Sequence, residues 1–156
     1  MFETVVLALD GSPESLAAVP YARDLAGEHG IIKAVHVREI LLGRGGGQPA
    51  RANEDEIAAD VRRTVDQLKA AGADVTLEVA TATAGGPAHV IAEIARRDSA
   101  DAIVVGTRGR GQVAGLLLGS VTQRLLHLAH CPVLAVPPGA VAREAGTPAG
   151  SAAAGA

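Results

Sequence analysis

Aromatic side chains are almost absent from this chain of 156 residues: Phe2 and Tyr21 are the whole set, and there is no tryptophan. Single-stranded nucleic acid is held by stacking bases on exposed rings, so that class of function is set aside. The formal net charge of −3 also speaks against a generic grip on phosphate backbones. Cysteine is reduced to Cys131, which excludes a disulfide framework and a cysteine-based metal cluster. No apolar run reaches the length of a membrane span, and the first residues lack a basic segment followed by an apolar one. The expectation is a soluble cytoplasmic protein whose partners include neither nucleic acid nor membrane. Acids are missing from one long stretch. Residues 102 to 143 contain no Asp or Glu, while Arg108, Arg110, Arg124 and Arg143 fall inside it. A segment free of negative charge suits a small anionic ligand.

What is present is an alternation of strand and helix patterns. The run Thr4-Val-Val-Leu-Ala-Leu9 is continuously apolar and ends in Asp10-Gly11-Ser12-Pro13. It reads as a strand buried on both faces. Ser12 is a good N-cap and Pro13 fits the first helical position. The helix that follows is expected to reach about His29, with Gly30 as its stop and Pro20 kinking it. Residues 31–37 read as a second strand. Residues 41–52 carry Gly43, Gly45, Gly46, Gly47 and Pro49 and read as a flexible loop. Asn53 is expected to start the next helix, with Glu54, Asp55 and Glu56 in its first turn and Glu56 in a capping-box position. Ile57, Val61, Val65 and Leu68 then repeat at helical spacing, and Gly72 closes the pattern. Val75, Leu77 and Val79 alternate with polar residues, as in a strand with one wet face at a sheet edge.

Gly85-Gly86-Pro87 opens a helix with Val90, Ile91 and Ile94 on its apolar face. Residues 102–105 form another buried strand. Residues 120–130 read as a helix with Val121, Leu125 and Leu128 as its core stripe, and Ser120 with Gln123 has capping-box spacing. Pro132-Val133-Leu134-Ala135-Val136 is a last short strand. From residue 139 to 156 the composition turns to Ala, Gly, Ser and Pro, which reads as a disordered tail behind a single domain over 1–138. The fold class is α/β: a doubly wound parallel sheet with helices on both faces. In such sheets ligands sit beyond the carboxyl ends of the strands.

Between the strand at 102–105 and the helix at 120 lies Gly106-Thr-Arg-Gly109-Arg-Gly111-Gln-Val-Ala-Gly115-Leu-Leu-Leu-Gly119-Ser120-Val121-Thr122. Glycine lets main-chain N–H groups approach an anion with no Cβ in the way, and the helix start offers more N–H groups and a positive dipole end. A P-loop is excluded because no Lys precedes Ser120. Gly109-Arg-Gly111-Gln-Val-Ala114 matches a dinucleotide fingerprint only formally: the next acid that could hold a ribose is Glu144.

The remaining pattern, Gly106-x2-Gly109-x9-Gly119-Ser120, resembles the nucleotide-binding signature of the universal stress protein family. Val5-Val6-Leu7-Ala8-Leu9-Asp10-Gly11-Ser12 resembles that family's first strand and its acid. Val35-His36-Val37, Asp101-Ala-Ile-Val-Val-Gly106 and Cys131-Pro-Val-Leu-Ala-Val136 resemble its second, fourth and fifth strands. The resemblance implies a five-stranded sheet in order 3-2-1-4-5. It implies ATP, with or without Mg2+, as the ligand. Asp10 would meet the ribose or adenine, and the main chain of Val37 the adenine. Gly106, Arg108 and Gly109 would line the phosphate loop. Gly119, Ser120, Val121 and Thr122 would bind phosphates at the helix start. It further implies a stress-response regulator whose nucleotide occupancy modulates an unidentified protein partner, with at most slow hydrolysis, and a homodimer through the strand at 132–136. The alternative reading is a nucleotide-free dimeric scaffold of the same fold. Adenylating chemistry is disfavoured, because Asp10-Gly-Ser-Pro stands where a Ser-Gly-Gly-x-Asp-Ser loop would be needed and there is no His-x-Gly-His motif.

Other residues carry less. His36 reads as a packed strand histidine. His127 and His130 read as last-turn residues that suit the helix dipole. His89 is placed where it could overhang the crevice, and Cys131 reads as a buried, inert thiol.

Overall fold

The apolar run at the start of the chain forms β1 (Thr4–Ala8), and this strand lies at the centre of the sheet. The computed structural model describes residues 2–39, 50–82, 84–109 and 118–140. Within them the order is β1, α1 (Pro13–Ala17), α2 (Val19–Ala26), β2 (Ile31–Arg38), α3 (Ala50–Ala70), β3 (Asp74–Thr81), α4 (Gly86–Arg97), β4 (Ala102–Gly106), α5 (Ser120–Leu128) and β5 (Val133–Val136). The five strands are parallel in the order β3-β2-β1-β4-β5, as expected. Alternate residues of β1 face opposite layers. Val5 and Leu7 join the core under α2 and α3, with Ala22, Ile57, Val61 and Val65. Val6 and Ala8 join the core under α4 and α5, with Ile91, Ile94 and Leu125. Both faces are therefore covered, which is why the run has no polar alternation. β3 is the edge strand with the wet face, as its alternation predicted, and is longer than 75–79.

Several boundaries differ from expectation, each for a local reason. The first helical segment is two helices joined at Ala18, and Pro20 sits in the first turn of the second, where its missing N–H costs nothing. That second helix stops at Gly27 (φ 64°), not at Gly30. The helix α3 begins at Ala50, so Asn53 is not its cap and the three acids lie beyond its first turn; Ala and Arg are good helix formers and extend the element backwards. α5 is capped by Gly119 with no side-chain hydrogen bond, so the capping box of Ser120 and Gln123 does not form. It ends at Leu128, which leaves Leu128 37% exposed and His130 outside the helix. Of the loop expected at 41–52, residues 50–52 belong to α3 instead, and 41–49 lie outside the described residues, as do residues 110–117 and the tail from 141. Among the described residues no helix is long and apolar enough to cross a membrane.

Beneath the amino-terminal half of β2, four charges lock two strands to α4. Arg97 donates to both carboxyl oxygens of Glu78 (3.1 and 2.7 Å) and to both of Asp98 (2.8 and 2.9 Å). Lys33 lies 2.9 Å from Asp98 and 3.5 Å from Glu78. Hydrogen bonds from Arg97, helped by Lys33, outweigh desolvation and hold the Asp98 carboxyl down at about 2. The same two cations lower Glu78. Both carboxyls ionise more readily folded than unfolded, so their contribution is complete above the unfolded carboxylate range and lost as acid protonates them. Urea unfolding should therefore show stability falling from about pH 4 towards pH 2, and Arg97→Ala should flatten that fall. An unchanged pH profile in the variant would contradict the assignment.

Candidate functional site

β1 and β4 are neighbours, so the chain leaves the sheet twice along one carboxyl edge: at Leu9-Asp10 and at Gly106-Thr107. Continuing the β1–β2 register past Ala8 and Val35 sets Asp10 level with Val37, which is half-buried near the end of β2. Three of the expected site residues thus meet at one crevice mouth by topology alone.

Asp10 is held by the turn that follows it. Its Oδ1 accepts from the N–H (2.9 Å) and from the hydroxyl (2.5 Å) of Ser12. The Ser12 oxygen in turn accepts from the N–H of Ser15 at 3.1 Å and so caps α1, as its position suggested. The Ser15 hydroxyl donates to the Ser12 carbonyl (2.9 Å), and the Asp10 N–H reaches the Ser15 oxygen at 3.4 Å. Ser12 and Ser15 are both buried. Bonds of this kind contribute about 1 kcal/mol each, and those to a charged oxygen somewhat more. Together they fix which way the carboxylate points.

The other carboxyl oxygen points at the glycine loop. A Cβ built on Gly109 would stand 2.6 Å from Asp10 Oδ2. No side chain fits between them, so Gly109 is glycine because the acid comes from the opposite side. Gly106 has the same kind of constraint. A Cβ there would lie 2.8 Å from the Glu14 carbonyl, so α1 rests directly on the end of β4.

The α5 N-terminus is stitched onto this loop. The Gly119 N–H donates to the Thr107 carbonyl at 2.7 Å. A Cβ on Gly119 would meet Thr107 O at 3.4 Å, Arg108 Cα at 3.5 Å and Gly109 N at 3.7 Å. The Thr107 N–H donates to the Val136 carbonyl at 2.8 Å, which ties the loop to β5 as well. Helix geometry leaves the amides of Ser120, Val121 and Thr122 with no intrahelical acceptor, and Gly119 has no side chain with which to cap them. Ser120 is exposed and its hydroxyl does not cap the helix. Thr122 is different: its hydroxyl is buried and donates to the Gly106 carbonyl at 2.8 Å, so its proton is committed inside the protein. Arg108 is half-buried beside the loop. Arg124 donates to the Gly85 carbonyl at 3.1 Å and ties α5 to the start of α4.

All nine expected residues therefore lie at the carboxyl edge or on the loop and helix start that overhang it. Ser12 and Ser15 were read only as helix-start residues or not at all. Their hold on Asp10 was signalled by an Asp followed two residues later by Ser, a spacing that favours a side-chain-closed turn. His89 packs over Gly85 at the start of α4 and lies 3.3 Å from Glu93 on its own helix. Cys131 is half-buried rather than buried, and desolvation pushes its thiol above the ordinary range, as an inert thiol requires. No group of three or more His, Cys, Asp or Glu suited to a metal ion occurs among the described residues.

Known proteins share this fold. The model of the universal stress protein family matches residues 1–137. A universal stress protein of Thermus aquaticus is 38% identical over 140 residues, covering 87% of this chain and 99% of its own. The crystal structure of a universal stress protein in complex with cAMP superposes with a TM-score of 0.67 at 29% identity, covering 88% of this chain and 98% of that one. A family member from Arabidopsis thaliana with AMP bound shares the fold at 18% identity, with a TM-score of 0.62 over 88% of this chain and 92% of its own. With a family model spanning nearly all of its described length and a relative aligned end to end, the chain belongs to the universal stress protein family.

Proposed function

We propose that the crevice binds an adenine nucleotide, ATP in the first instance, and that occupancy regulates how the protein meets a partner in a stress response. The observation that carries this reading is the open start of α5, packed on the main chain of residues 107–109 directly across from Asp10. Uncapped amides at a helix start favour a polyphosphate, and a fixed carboxylate favours hydroxyl donors such as those of a ribose. Asp10 would take the ribose or the adenine, and the Val37 main chain the adenine edge. Gly106, Arg108 and Gly109 would line the phosphate path. Gly119, Ser120, Val121 and Thr122 would hold the phosphates, Ser120 with hydroxyl and amide, Thr122 with its amide. Relatives with cAMP and AMP bound support an adenine ligand. The acidic equipment at the mouth is Asp10, so hydrolysis, with or without Mg2+, is slow in this reading. Residues 1–138 act as the binding domain, 139–156 as an appended tail, and the working location is the cytoplasm.

The partner includes a second copy of the chain. β5 is an edge strand, and Leu134 upon it is 37% exposed; Leu126 (51%) and Leu128 (37%) of α5 are exposed as well. An apolar edge with open main-chain groups is suited to pairing with its own copy across a twofold axis.

Three outcomes follow. Protein recovered from cells and denatured should release adenine nucleotide by mass spectrometry, and calorimetry should show binding that Gly109→Ala weakens by about tenfold or more, because the new methyl displaces the Asp10 carboxylate. A blank release together with no calorimetric heat would overturn the reading. Thr122→Val should lower stability by about 1–3 kcal/mol in urea, while Thr122→Ser should not, since the bond to Gly106 needs only a hydroxyl. Leu134→Arg should shift the protein from dimer to monomer in sedimentation; a wild-type monomer at every concentration would refute the β5 interface.

A further inference from the structure

Resting on the nucleotide-binding reading, we propose that His36 is a positioning residue: its ring takes the Leu9 carbonyl out of the β1–β2 ladder and so leaves the main-chain N–H and C=O of Val37 open to the base. Strand geometry says which way those groups point. In a β-strand the N–H and C=O of one residue face the same neighbouring strand, and successive residues alternate between the two neighbours. The Ile31 N–H donates to the Glu3 carbonyl at 2.8 Å, and the Val35 carbonyl accepts from the Leu9 N–H at 2.9 Å, so odd-numbered residues of β2 face β1. The Arg38 carbonyl accepts from the Ala82 N–H at 2.7 Å, so even-numbered ones face β3. Val37 therefore aims both groups at β1.

The ladder stops short of them. The paired register of β1 and β2 ends at Ala8 with Val35. The next bond of a parallel ladder would run from the Val37 N–H to the Leu9 carbonyl. That bond is not made: the Leu9 carbonyl lies 2.8 Å from His36 Nδ1 instead. A carbonyl oxygen only accepts, so Nδ1 is the donor. Among the described residues Val37 has no main-chain partner on the β1 side. An open amide and an open carbonyl on one residue fit a ligand edge with an acceptor beside a donor, and N1 with the N6 amino group of adenine is such an edge.

The peptide between Leu9 and Asp10 is held at both ends. Its carbonyl takes His36, and its N–H reaches the Ser15 hydroxyl oxygen at 3.4 Å. This is where β1 leaves the sheet, so the rotation of one peptide sets two things: where the Asp10 side chain starts, and whether β1 covers the Val37 main chain. His36 is 1% exposed, and its Nε2 is 2.9 Å from Glu54 Oε1 on α3. Val37 packs on the opposite core, under α4 and α5. The two side chains lie on opposite faces of the sheet, so the histidine acts on Val37 through the Leu9 peptide.

Two substitutions separate the bond to Leu9 from packing. His36→Leu fills similar space with no donor, and His36→Asn keeps an N–H at the Nδ1 position. Neither has an atom at the Nε2 position, so both lose the contact with Glu54 and differ in the donor offered to Leu9. Amide exchange of Val37, read by NMR at one pH, reports the ladder directly. Without nucleotide the Val37 amide of the wild type should exchange faster than that of Val35. It should stay fast in His36→Asn and become protected in His36→Leu, where the freed Leu9 carbonyl takes it. By calorimetry His36→Leu should weaken ATP binding about tenfold, as for the loss of one hydrogen bond to the base, and His36→Asn should restore it to within about threefold of the wild type. Inorganic tripolyphosphate has no base, so its binding should not differ among the three proteins, and it should leave Val37 exchange unchanged. A Val37 amide protected in the free wild type, or an equal loss of ATP affinity in both variants, would overturn the proposal. If His36→Leu does not fold, the wild type still decides: ATP should slow Val37 exchange, and no slowing at saturation would overturn it. If no nucleotide binds the wild type, the binding reading fails and the role toward the base fails with it, while Val37 exchange in the free protein still decides whether His36 stops the ladder.

Discussion

Everything at the carboxyl edge of the sheet depends on one close approach: the Asp10 carboxylate against a residue that has no side chain. Gly109 stands where any Cβ would be 2.6 Å from Oδ2. Because the acid and the loop main chain meet so closely, they form two walls of one crevice rather than two separate surface features. The approach is possible only because β1 and β4 are neighbours, and that adjacency follows from the crossovers running to both faces of the sheet.

The surrounding parts serve to keep that approach in place. Ser12 and Ser15 orient the acid from the α1 side. Gly106 admits the α1 main chain to the end of β4, and Thr122 bonds back to the Gly106 carbonyl from within α5. The Gly119 N–H anchors the helix start to Thr107, and Thr107 is anchored to Val136. The end of β5, Thr107 and the start of α5 are thus hydrogen-bonded in series. If β5 pairs with a second copy, the Thr107–Val136 bond connects that interface to the main chain that ends β4. The end of β2 is tied separately, to α3, through His36 and Glu54.

Much of this was legible in the residues. Continuous apolar runs at 4–9 and 102–105 marked strands buried on both faces, and the alternation around Val75 marked an edge. The crevice followed from Asp10 and Gly106 each ending such a run. The resemblance supplied the strand order, and the structure agrees with it. What misled was local capping chemistry. Asn53 and Ser120 are good caps by residue type, yet α3 starts earlier, and Gly119 takes the cap position at α5. A capping preference contributes about 1 kcal/mol, which tertiary packing readily outweighs. Glu54 was read as a helix-dipole acid because sequence spacing does not reveal that a histidine 18 residues away needs a partner. The bond of the Thr122 hydroxyl to Gly106 was not legible for the same reason: it spans 16 residues and appears only when β4 and α5 pack together.

The most direct test is an NMR titration that follows individual backbone amides as ATP, and separately adenosine, is added. The account predicts that both ligands shift the signals of Asp10 and Val37, whereas only ATP shifts those of Gly109, Ser120, Val121 and Thr122. Saturable ATP binding that leaves the amides of residues 119–122 unmoved would contradict it.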